Sequence, residues 1–245
     1  METPYQPHHT LREIVTGNFR TAAVFESFGM DFCCRGGQTI EQSCTEHGAD
    51  PFAVITALHR VTGSSAGVRD GFADLDPEQL IEFIVSHHHA YVRTMIPVLR
   101  AHTRKVAAVH GERHPETIAI AEHTEAVLQE LASHMVKEER MLFPYIIELF
   151  KADRSGAAAP VSPFGTVQNP IRMMEQEHRS AGDELAAVRT LSSGYAPPAD
   201  ACTTYRICYQ ELQAFEKDLH QHIHLENNIL FPRAVELEQA FASTH

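Results

Sequence analysis

The sequence predicts an all-α protein: an antiparallel four-helix bundle over residues 78–245, preceded by a small helical domain over residues 1–62. Three observations predict it. Four long stretches read as amphipathic helices, and the second and fourth carry apolar residues at alternating steps of three and four. No stretch of useful length alternates apolar and polar residues as a half-buried strand does. One eleven-residue pattern is written twice, HMVKEERMLFP from His134 to Pro144 and HIHLENNILFP from His222 to Pro232, so the chain reads as a doubled helical hairpin.

In the first segment, Asn18 is an N-cap for a helix through Phe28, and Gly29 suits the left-handed position after its end. DFCCRGG, residues 31–37, comes next as a turn. Thr39 to Glu46 forms a second helix closed by Gly48, and Asp50-Pro51 opens a third as N-cap and first helical residue. Residues 63–77, GSSAGVRDGFADLDP, lack apolar periodicity and read as a linker.

The four bundle helices then run from about Pro77 to His110, Pro115 to Phe150, Pro170 to Ser192 and Pro198 to Phe241. The second has its apolar stripe at Ile120, Val127, Leu131, Met141 and Tyr145. The fourth has it at Cys208, Leu212, Phe215, Leu219 and Ile229. Pro144 and Pro232 stand six residues beyond Glu138 and Glu226. Each removes a helical hydrogen bond and is expected to kink or end its helix.

Composition narrows the function. With 20 Lys and Arg against 32 Asp and Glu, the formal charge is −12, which argues against nucleic acid as a partner. No run approaches the roughly 20 apolar residues of a membrane span. METPYQPHHT has no apolar signal-peptide core, so a cytoplasmic protein without a membrane partner is expected. Five cysteines, an odd number in a reducing compartment, do not make a disulfide framework. The outlier is histidine, with 17 residues.

On the second bundle helix, His134 and Glu138 continue the seam of Val127, Leu131 and Met141. On the fourth, His222 and Glu226 lie between Leu219 and Ile229. Residues four apart share a helix face, so each imidazole and carboxylate point together toward the bundle axis. A buried carboxylate without a counter-charge costs several kcal/mol, and a cation between the helices is the simplest remedy. The first helix adds His87, His88 and His89, and the third adds His178. His89 to His134 spans 45 residues and His178 to His222 spans 44. Each half therefore supplies one histidine and then one His-x3-Glu pair. Periodicity does not choose between His88 and His89, since both have apolar residues at −4 and +7.

Four imidazoles and two carboxylates suit a pair of first-row transition metals, iron or manganese first, with the glutamates bridging. Structural zinc would favour cysteine, and calcium or magnesium would want oxygen alone. Glu130 and Asp218, four residues before His134 and His222, are candidates to hold the outer imidazole N–H or to line a metal path. Glu177, beside His178, is a third. His220 and His224 read as solvated neighbours. No catalytic residue is assigned.

In LENNILFPRA and the two His-x3-Glu…Phe-Pro pairs the chain resembles the hemerythrin-like domain. Joined to DFCCRGGQTIEQSC, it is similar to the RIC family, the iron-sulfur cluster repair di-iron proteins with an N-terminal ScdA-type domain. The resemblance covers about residues 10 to 236. It implies two non-heme iron ions, oxo-bridged, held by His89, His134, Glu138, His178, His222 and Glu226. In the family the first ligand precedes a helix proline by eight residues, which selects His89 before Pro97. The resemblance further implies restoration of iron-sulfur clusters damaged by nitric oxide or oxidants, through iron donation or NO handling. Damaged iron-sulfur proteins would be the partners, NO or O2 small ligands, and a homodimer the assembly. Arg35 departs from the family, where a glycine commonly follows the cysteine pair, and His87 is an extra histidine.

Cys33 and Cys34, followed by Arg35-Gly36-Gly37, place two thiols in a locally cationic turn that favours thiolate. They are expected to be reactive, receiving iron, reacting with NO or linking two subunits. Two small apolar residues packed in a core are the alternative. Cys44, Cys202 and Cys208 read as structural. The expected function is cluster repair by an iron donor rather than by a turnover enzyme. A storage or sensor protein for NO or O2, and a di-iron NO or peroxide reductase, are the competing readings.

Overall fold

Capping chemistry sets the first helices. Thr10 accepts the Glu13 N–H while the Glu13 carboxylate accepts the Thr10 N–H, a reciprocal box that starts α1, Leu11–Gly17. This helix is not anticipated from the sequence, because seven residues are too few to show periodicity. Asn18 caps a 3-10 turn, Phe19–Thr21, that leads into α2, Ala22–Ser27, and Gly29 is left-handed at φ 72°. Thr39 and Gln42 form a second box at the start of α3, Ile40–His47, which Gly48 closes. Asp50 accepts the Phe52 N–H at the start of α4, Pro51–Gly63.

The computed structural model describes residues 5–63 and 71–243, so most of the expected linker, residues 64–70, lies outside the described residues. The remainder holds a 3-10 turn, Phe72–Asp74. Among the described residues there is no strand, only an isolated bridge between Thr10 and Thr39.

Four long helices come after it. α5 covers residues 77–110, α6 residues 116–155, α7 Gln168–Leu191 and α8 residues 203–243. Ion pairs and hydrogen bonds show them alternating in direction around a ring. Between α5 and α6, His89 meets Glu139 and Arg100 meets Glu125. Between α6 and α7, His134 meets Glu177 and His123 meets Glu184. α8 meets α7 through Arg189 and Glu216, and α5 through His88–Asp218 and His102–Glu211. In each doubly joined pair one partner's number rises as the other's falls, so neighbouring helices run antiparallel.

Three of the four contain a π turn: Ile84–His89, Glu138–Leu142 and Glu226–Leu230. In the last two, the carbonyl of the glutamate accepts the N–H of Phe143 or Phe231, five residues on. This corrects two expectations. The helices do not end at Pro144 and Pro232 but run on to Ser155 and Ser243. The extra residue opens the carbonyl ladder just ahead of each ring, where proline's missing donor would otherwise break it. The same insertion turns the downstream helix face by about one residue. Met141 is 53% exposed and Leu142 takes its place inside.

The backbone divides into two compact units, residues 1–76 with 223–232, and residues 77–222 with 233–245. In the first, α1–α4 bury Leu11, Phe25, Phe32, Ile40 and Leu58. The 223–232 stretch is held within this unit. Asn228 donates to Phe32 O (3.1 Å) and accepts from Arg12 (2.7 Å), and Asn227 donates to Cys33 O (3.3 Å). His224 is buried between Phe19 and Phe32, with its Nδ1 3.0 Å from Asn228. The expectation that it is solvated is thus wrong. Burial lowers its pKa to about 3 and keeps the ring neutral. Gly36 is required here, since a Cβ would stand 2.6 Å from Phe32 O and 2.7 Å from Asn228 Oδ1.

Candidate metal centre

Each candidate ligand comes from the middle of a long helix, where the backbone satisfies itself and leaves only side chains to face inward. His89 stands at the end of the α5 π turn. Glu138 and Glu226 open those of α6 and α8, with His134 and His222 one turn earlier. His178 lies on the buried face of α7 with Met174, Ala181 and Leu185. All six side chains are at most 1% exposed.

They form two overlapping sets. His89, Glu138, His222 and Glu226 offer one atom each within 4.8 Å of one another, and so do His134, Glu138, His178 and Glu226. The two carboxylates belong to both. Glu138 divides its oxygens: Oε2 lies 3.4 Å from His89 Nε2 and Oε1 lies 3.2 Å from His134 Nε2. The imidazoles meet in pairs, His89 Nε2 with His222 Nε2 at 3.1 Å and His134 Nε2 with His178 Nε2 at 3.0 Å.

The outer nitrogens show which face carries the proton. His89 Nδ1 donates to Glu139 (2.6 Å) and His134 Nδ1 donates to Glu177 (2.8 Å). In the neutral ring this leaves the Nε2 lone pair directed inward. A cation between each pair would take up these inward lone pairs and balance the buried carboxylates. An ion about 2.1 Å from two nitrogens at a right angle holds them about 3.0 Å apart, which is the spacing found. The donor set therefore fits first-row transition ions.

Of the three carboxylates named from the sequence, Glu177 meets a candidate ligand and the other two do not. Glu130 is half-buried and hydrogen-bonds to neither histidine, because His134 turns its Nδ1 across to α7 rather than back along α6. Glu177 takes that place and is paired with Lys137 as well. The His134 hydrogen bond, with Lys137 behind it, lowers its pKa to about 2 despite partial burial. Asp218 faces His88 Nδ1 at 3.1 Å, not His222. His88 stacks on the His222 ring and is buried, but lies outside both sets. Glu139 is the residue that sequence reasoning missed. Burial alone would raise its pKa, but hydrogen bonds from His89 and Arg93 outweigh this and hold it low. Nothing in its spacing distinguishes it from a solvated neighbour of Glu138.

The cysteine turn also departs from expectation. Arg35 is paired with Glu46, and the group facing the thiols is the Asp31 carboxylate, with Oδ1 3.2 Å from Cys33 Sγ. The neighbouring Cys34 thiol, burial and Asp31 together push the Cys33 pKa well above its ordinary value. Cys33 is therefore a protonated thiol, not the thiolate its sequence neighbours suggest. Cys44 and Cys208 are buried, whereas Cys202 is exposed, with Sγ 3.1 Å from His110 Nε2.

Residues 80–234 match the hemerythrin HHE cation binding domain, and residues 7–62 match ScdA_N, a domain of unknown function. The chain belongs to the hemerythrin HHE family. It is 35% identical over 226 residues to the iron-sulfur cluster repair protein YtfE of Musicola paradisiaca, covering 92% of this chain and 96% of that one. It is 33% identical to the YtfE of Pectobacterium atrosepticum over the same shares, and 34% identical over 225 residues to that of Edwardsiella ictaluri. Membership implies iron binding, and the two buried His/Glu sets are groups that could hold it. No helix among the described residues is long and apolar enough to cross a membrane.

Proposed function

We propose that this chain repairs damaged iron-sulfur clusters, with a pair of iron ions held by His89, His134, Glu138, His178, His222 and Glu226. One observation carries the reading. Two His/Glu sets share both carboxylates, in a chain similar along nine-tenths of its length to proteins named for cluster repair. On this reading Glu138 and Glu226 would be shared between the ions, with His89 and His222 holding one and His134 and His178 the other. Glu139 and Glu177 hold the outer protons of His89 and His134 and keep their lone pairs directed inward. Bound iron would supply a redox-active, exchangeable cation, either as cargo for a damaged cluster or as the binding place of NO.

The test has two arms. Metal analysis of freshly purified protein is expected to give two irons per chain, and a His134→Ala/His222→Ala variant is expected to lose them. The iron-loaded protein is expected to restore a cluster enzyme inactivated by NO. If iron is present and nothing is restored, the repair role falls and the metal assignment stands. Reversible NO binding without iron release would favour storage or sensing instead.

A further inference from the structure

The turn from Asp31 to Gly37 lies wholly within the first compact unit and uses none of the bundle's candidate ligands. Asp31 Oδ1 accepts the backbone N–H groups of Cys33 (3.0 Å) and Cys34 (2.8 Å), which fixes the carboxylate beside both thiols. Cys33 Sγ is 3.2 Å from that oxygen and 3.9 Å from Cys34 Sγ. From outside the turn, Asn227 and Asn228 hold the Phe32 and Cys33 carbonyls, and Gly36 lets the backbone pass close to Asn228. The three donors are thus set by contacts that owe nothing to an ion.

Two of the three distances among them are near the edges of a coordination tetrahedron. Two sulfurs about 2.3 Å from a tetrahedral ion lie about 3.8 Å apart, and a sulfur and a carboxylate oxygen lie about 3.5 Å apart. The observed 3.9 and 3.2 Å are close to both. We propose that Asp31, Cys33 and Cys34 form a second metal site for one borderline divalent cation of the zinc or ferrous class, which takes two sulfurs, one oxygen and one exogenous ligand. Binding breaks both S–H bonds, forms two metal–sulfur bonds and releases two protons to solvent. No electron is transferred. The high pKa of the buried Cys33 thiol makes the site proton-linked, so ion binding tightens as pH rises. The proposal assumes neither cluster repair nor iron in the bundle.

The probe is Co2+, titrated anaerobically into the full-length, reduced protein as purified. The expected result is a sulfur-to-cobalt charge-transfer band that saturates at one equivalent, with two protons released per ion. Two of the five thiols become protected from iodoacetamide. The Cys33→Ser/Cys34→Ser variant is expected to lose the band. Cys33 sits in the core and its replacement can unfold the domain, so Asp31→Asn is the second variant. It keeps the oxygen that caps the two N–H groups, removes the charge, and is expected to weaken Co2+ by roughly tenfold or more with helicity unchanged. No band in the unaltered protein, or a band that survives the double replacement and therefore belongs to Cys44, Cys202 or Cys208, overturns the proposal. So does an unchanged Co2+ midpoint in Asp31→Asn. A failure to restore clusters would leave all of these readouts standing.

Discussion

The two His-x3-Glu-x4-Phe-Pro copies share a backbone and differ in what surrounds it. In both, the glutamate opens a π turn closed by the phenylalanine N–H, and the helix continues through the proline. In the first copy Val136 and Met141 are 45% and 53% exposed, and Arg140 faces solvent. In the second, every residue from His222 to Phe231 is buried, and Asn227 and Asn228 hold the cysteine turn. The helical period ties His and Glu to one face in both copies. The positions between them answer only to whatever covers them, and so diverge.

The comparison breaks most sharply at the glutamates. Glu138→Ala and Glu226→Ala are each expected to remove metal from both positions, since each carboxylate serves both sets. Metal analysis showing one ion retained would make the copies independent. Next come the residues three beyond each glutamate. Ile229→Ala is expected to cost about 2–5 kcal/mol. Met141→Ala, at the matching place, is expected to stay within about 0.5 kcal/mol. Denaturant unfolding measures both, and equal costs would mean that the difference in what covers the two copies carries no energy.

The supporting carboxylates sharpen the same contrast on α6. Glu177→Gln is expected to weaken metal binding by roughly 10–100-fold, and Glu130→Gln to leave it unchanged. Competition with a chelator reads both. The smallest effect separates the residues two beyond each glutamate. Asn228→Ala leaves the Phe32 carbonyl and the Arg12 guanidinium short of a partner and is expected to cost about 1–3 kcal/mol. Arg140→Ala, on the exposed face, is expected to change stability by less than about 0.5 kcal/mol.

Much of this was legible in the chain. The all-α class, the long helices, the caps at Asn18 and Asp50 and the placing of His134, Glu138, His222 and Glu226 on inward helix faces are all set by short-range spacing. What was not legible lies across elements. Periodicity leaves His88 and His89 equivalent; the fold turns His88 to Asp218 and His89 to His222. Arg35 makes the cysteine turn look cationic along the chain, but its charge is met by Glu46 while Asp31 faces the sulfurs. Glu130 lies one turn from His134 on the same helix, and the imidazole finds Glu177 on the next one instead.

By itself the sequence determined where helices form and which side chains share a face, because caps, glycines and a 3.6-residue period act over a few residues. Only the tertiary structure decided which carboxylate meets which imidazole, how the seam shifts after each π turn, and what charge the thiols face. Those outcomes depend on groups brought together from distant positions, and no local pattern encodes the phase at which two helices meet.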